Sequence, residues 1–194
     1  MLKWMERLAR LMAIVGGVVL TALVILTCLS ILGRSLNGIG HSDWLTALSP
    51  WLAEALLATG VGPINGDFEL VEAGVAFAIF AFLPVCQLYG GHATVDVFTS
   101  LMSRRVNKLL VTFWEVVLSA LIVLITARLY EGMMNKMSYG ETSFLLQFPV
   151  WWAYGLSFVA AVVASIVAVY CAAARVLELI TGRKFMPHSE GAVH

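Results

Sequence analysis

The chain has 194 residues, 60% of them hydrophobic and 12% charged, with a mean hydropathy of +0.89. A soluble domain carries about a quarter charged residues, so this composition excludes an ordinary soluble domain and points to an integral membrane protein. Twelve basic and twelve acidic side chains leave no net charge, which argues against a nucleic-acid partner or an acidic substrate.

The first ten residues carry Lys3, Arg7 and Arg10, and an apolar run follows from Leu11 to Gly33. A signal peptide also begins this way, but the run is about 23 residues against the roughly 7–15 of a signal core. No small-x-small cleavage site follows it, so 11–33 reads as a retained first crossing. The next stretch, to Asp67, is a long loop punctuated by Gly38, Gly40, Gly60, Gly62, Pro63 and Gly66. Inside it Trp44, Leu48, Trp51, Leu52 and Leu56 fall at helical spacing. Ser49-Pro50 reads as an N-cap followed by proline at the first helical position, and Gly60 as a stop. A helix over about 43–59 is too short to span. It is expected either to lie in the membrane interface, anchored by its tryptophans, or to pack on a partner protein.

An acidic shelf of Asp67, Glu69 and Glu72 opens the second crossing, 69–89, in whose later half Pro84 should produce a kink. Gly90-Gly91-His92-Ala93 breaks it. Residues 94–107 then place Val95, Phe98, Met102 and Val106 on one face, which predicts either an interfacial helix or an extension of the third crossing into water. That third crossing, 109–130, holds Glu115 about two turns in and ends with Arg128 and Glu131 three apart on one face. Pro149 opens the fourth, 150–173, with Trp151, Trp152 and Tyr154 as an aromatic belt. Along it Ser157, Ala161, Ala164, Ala168 and Ala172 form a stripe of small residues, the kind that lets helices approach closely in lipid, unless it reflects general alanine richness. The tail 185–194 is expected to be disordered.

The fold class is therefore all-α integral membrane, with four transmembrane helices and short interfacial helices in the first periplasmic loop and in the cytoplasmic loop between helices two and three. Four crossings put both termini on one side, with Lys3, Arg7, Arg10, Arg104, Arg105, Lys108, Arg175, Arg183 and Lys184. Those are nine of the twelve basic residues, so the positive-inside rule makes that side, and both termini, cytoplasmic.

Cys28, Cys86 and Cys171 lie in apolar runs without metal-binding spacing, and no crossing contains a histidine. Intramembrane haem ligation is thereby disfavoured, and no HExxH, GxSxG or Walker A pattern occurs. No metal, cofactor or catalytic residue is expected, and the chain does not read as an enzyme. Nor does it suit a self-sufficient carrier. The first and fourth crossings hold no acid, Glu115 lies toward the cytoplasmic end, and there is no inverted repeat or pair of broken helices. Glu69 and Glu72 are either a solvated helix start or a docking pair for a partner's cations. Whether Glu115 pairs with Lys108 or with another chain is open. What remains is an accessory subunit.

The order of four motifs supports that reading. The first helix ends in Arg34-Ser35-Leu36-Asn37, and an acidic entry with Glu69 and Glu72 precedes the second. Gly91-His92-Ala93-Thr94-Val95-Asp96 follows it, and Phe148-Pro149-Val150-Trp151-Trp152-Ala153-Tyr154 opens the last. With this pattern the chain resembles the small membrane subunit, of DctQ type, of tripartite ATP-independent periplasmic (TRAP) transporters. The resemblance covers nearly the whole chain except 38–66, which is longer than that family's usual first loop. It implies a bacterial inner-membrane protein that scaffolds a large membrane subunit. That subunit would take up an organic acid in symport with sodium, fed by a periplasmic solute-binding protein. The small subunit itself would bind neither ion nor solute.

On this basis the second and fourth crossings are expected to face the large subunit, the fourth through Ser157, Ala161, Ala164 and Ala168, with Pro149 and Trp151 at its mouth. Arg34, Glu69 and Glu72 would make polar contacts near the periplasmic surface. His92 and Asp96 would fix the cytoplasmic turn, either on the partner or as a self-contained cap. The different reading is a membrane anchor or assembly subunit of another membrane complex.

Overall fold

A computed structural model describes residues 2–90 and 104–181. They form six helices: α1 (Leu2–Gly40), α2 (Asp43–Leu48), α3 (Pro50–Ala58), α4 (Asp67–Tyr89), α5 (Arg104–Tyr139) and α6 (Trp151–Thr181). Among the described residues there is no strand, only one isolated bridge between Thr142 and Pro149. Helices α1, α4, α5 and α6 are long and apolar enough to cross a membrane, and the protein is an all-α multi-pass membrane protein.

Three of these helices outrun the apolar stretches that announce them. Helix α1 has 39 residues, roughly 58 Å at about 1.5 Å each, against a hydrocarbon layer of about 30 Å. Its flanks, Lys3–Arg10 and Arg34–Gly40, are polar but contain no proline to stop the helix. Helix α5 likewise begins at Arg104 and runs on to Tyr139. Of the interfacial helix expected over 94–107, residues 104–107 form the first turn of α5, and 94–103 lie outside the described residues, as does the tail 185–194. Only α4 fits one bilayer closely; it continues through Pro84 and closes at Gly90, whose N–H donates to the Cys86 carbonyl.

The single helix expected over about 43–59 is two. Ser42 caps α2, accepting the Leu45 N–H at 3.4 Å. The chain then leaves the helical region at Ser49 (φ −154°, ψ 82°) because the Pro50 ring disfavours that region for the residue before it. Helix α3 restarts with Pro50 in its first turn.

Packing follows the order α1–α4–α6–α5: α1 lies on α4, α4 on α6 and α6 on α5, with a lighter contact from α1 to α6. Helix α6 is central and the most buried of the four spans, and α1 the least. Near one end Ala9, Leu88, Val167, Cys171 and Ala174 form a core cluster joining α1, α4 and α6. In the middle Ile122, Ala164 and Ala168 pack with Leu83, so that α4, α5 and α6 meet.

Candidate partner-binding surface

Two polar constructions hold the helices in place, and they decide which side chains remain for another molecule. The first is at the mouth of α4. Gly66 enters the helix with φ +77°, and a Cβ there would lie 2.4 Å from Leu146 Cγ, so glycine is needed both for the turn and for the contact. Asp67 accepts a hydrogen bond from the Ser30 hydroxyl of α1 at 2.5 Å, and the Ile64 N–H donates to that same hydroxyl at 3.2 Å. Arg34 stands 3.9 Å from the Asp67 carboxylate with its side chain 67% exposed. The bond from Ser30 is the main reason the Asp67 carboxyl, ahead of the 69–89 crossing, is held below its ordinary pKa. Lower on α1, Asn37 donates to the Val61 carbonyl at 2.9 Å. A Cβ on Gly33 would collide with the Gly62 carbonyl, so the returning loop lies directly on the α1 backbone.

Glu69 completes this knot. Its side chain is buried, the residue 7% exposed, and its two oxygens accept the Leu145 N–H at 2.7 Å and the Leu146 N–H at 3.0 Å. Those amides lie at the tip of a tight turn over 141–150, closed by Ser143 N–H to the Phe148 carbonyl and Val150 N–H to the Glu141 carbonyl. One turn of α4 thus ties together the end of α1, the loop between α3 and α4 and the loop between α5 and α6.

The second construction is a polar seam along α5. Thr112, Glu115, Ser119, Ile122 and Thr126 are its buried residues, spaced alternately by three and four, which is one narrow helical face. Ser119 donates to the Ala168 carbonyl at 2.9 Å; Thr126 donates to its own Ile122 carbonyl at 2.8 Å, lies 3.2 Å from the Ala161 carbonyl and is 2.8 Å from the Ser165 hydroxyl. Gln87 of α4, 1% exposed, donates to Glu115, 9% exposed, at 2.8 Å and lies 3.4 Å from Ser119. The carboxylate left open between Lys108 and another chain is therefore met by an amide on the second crossing. Gln87, Ser119 and Thr126 were not singled out from the sequence, although polar residues at 3–4 spacing inside apolar runs were the available signal.

The small stripe has to be corrected. Ser157, Ala161, Ala164 and Ala168 are buried inside this chain, where α6 meets α4 and α5. Alanine leaves the α6 carbonyls open to approach, so the α5 hydroxyls can reach them. The stripe is a contact surface, but for helices of the same chain. Glu69 is likewise occupied internally. Pro149 and Trp151 are half-buried, with Trp151 edge-on to Trp152. Arg34 and Glu72 are exposed. His92 and Asp96 lie outside the described residues.

A bundle of four long apolar helices, tied at one mouth through Glu69 and along a polar seam on α5, defines a helical multi-pass membrane protein. The family model of the DctQ component of tripartite ATP-independent periplasmic transporters matches residues 56–180, and the chain belongs to that family. It is a TRAP transporter small membrane subunit. No curated protein and no solved structure matches it.

Proposed function

We propose that this chain is the static scaffold of a TRAP-type transporter in the bacterial inner membrane. It holds a large, multi-helix subunit that takes up an organic anion with sodium, supplied by a periplasmic solute-binding protein docking on the assembled pair. Both termini face the cytoplasm, so the knot at the mouth of α4 and the helices α2 and α3 face the periplasm. The family match over 56–180 carries this reading. The use of Gln87, Glu115, Ser119 and Thr126 to fasten helices supports a holding role.

The test is co-expression with the nearest encoded large TRAP-type subunit, followed by purification and reconstitution with the cognate binding protein. The expected result is a stable complex of the two membrane subunits, and sodium-dependent uptake that disappears when this chain is omitted. Recovery of an enzyme or chaperone instead of the large subunit would overturn the reading in favour of an anchor for another complex.

A further inference from the structure

We propose that the outer half of α4, along Phe68, Glu72, Val75 and Ile79, is the face this chain turns to the large subunit, and that an arginine or lysine of that subunit meets Glu72 there. This inference rests on the TRAP partnership proposed above. The four residues recur every three to four positions and all are exposed. From Phe80 to Leu88 the same helix has no exposed residue, because α1, α5 and α6 close around it. The open face is thus a bounded patch with a carboxylate in its middle.

Charge identifies what covers it. Glu72 lies five residues beyond Asp67, about 7.5 Å deeper along the axis. Phe68 lies one turn nearer the mouth on the same face. Helix α4 has 23 residues, roughly 35 Å, so little of it is left outside a hydrocarbon layer of about 30 Å. A carboxylate facing acyl chains at that depth is expensive, and charges inside spans are ordinarily paired. Within the chain Arg34, Arg128 and Lys136 pair with Asp67, Glu131 and Glu141 in turn, and no described residue forms an ion pair with Glu72. The exposed surfaces of α1 between Leu11 and Gly33 and of α5 between Val116 and Ala127 carry no charge at all, and they suit lipid. The α4 patch alone asks for a basic side chain inside the membrane, which a second membrane protein can present.

The experiment compares recovery of the co-expressed large subunit on tagged wild-type chain, Glu72→Gln, Glu72→Lys and, as a control on α5, Glu131→Lys. The expected outcome is at least tenfold less large subunit on Glu72→Lys, an intermediate loss on Glu72→Gln and wild-type recovery on Glu131→Lys. A photo-crosslinking residue at Ile79 in an otherwise wild-type chain should give an adduct with the large subunit, and one at Leu124 of α5 should not. This second arm reads the face without altering Glu72, so a poorly folding charge variant does not decide the matter. Wild-type recovery on both Glu72 variants, with no adduct at Ile79, overturns the α4 face while leaving the partnership intact. Failure of the wild-type chain to recover the large subunit at all overturns the partnership itself.

Discussion

Glu69 and Asp67 lie two residues apart and do different work. Glu69 reaches forward to the amides of Leu145 and Leu146, whereas Asp67 reaches back to Ser30. Replacing Glu69 by alanine leaves two amides without their acceptor. Hydrogen exchange at Leu145 and Leu146 should then accelerate sharply, with Thr126 in the distant seam unchanged. Asp67 predicts a pH dependence. Its carboxyl is lowered in the folded protein. Its contribution is therefore fully present above the unfolded carboxylate value of about 3.9 and is lost as pH falls through the lower folded value. Exchange at Ile64, whose N–H shares Ser30, should rise in that acid window, and Ser30→Ala should raise it already at neutral pH.

Helices α5 and α6 meet as a polar seam against a row of small residues. Interhelical hydrogen bonds in membranes average about 0.6 kcal/mol and reach roughly 1.7, so Thr126→Val should cost no more than that in a reversible unfolding assay. Ala161→Leu should cost more, about 1–3 kcal/mol, because the added atoms have nowhere to go. Ser157, whose buried hydroxyl finds no partner, should tolerate alanine without loss. These two helices also show what could be read from residues alone. Four apolar runs announced four crossings, since hydrophobic length is a property of each run by itself. The small stripe was visible too, but not its occupant: close packing asks for the same residues whether the neighbour is a helix of this chain or of another. Gln87 and Glu115 are 28 positions apart, and nothing local joins them before the helices pack. The division of α2 from α3 was legible in Pro50, whose effect on Ser49 is local.

At the scale of the whole molecule the charges are sorted more sharply than the contacts. Arg34, Arg128 and Lys136 are the only basic residues assigned to the outer side, and each lies near an acid, Asp67, Glu131 and Glu141 in turn. The proposed cytoplasmic side holds the remaining nine. A phosphatase active only outside the cytoplasm should therefore be silent when fused to the C-terminus and active when inserted after Gly60. The reverse pattern would invert the molecule, and with it the assignment of the α4 mouth to the periplasm.

The packing order α1–α4–α6–α5 differs from the order in which the chain is made, and that has a consequence for biosynthesis. Helix α5 leaves the ribosome third, but the carbonyls that its Ser119 and Thr126 bond belong to α6, which is made last. Until then α4 alone is in place, offering the Gln87 amide to Glu115. The third span thus lacks those acceptors until the final span packs against it. A chain cut after Tyr139 would leave the Ser119 and Thr126 hydroxyls without their α6 acceptors.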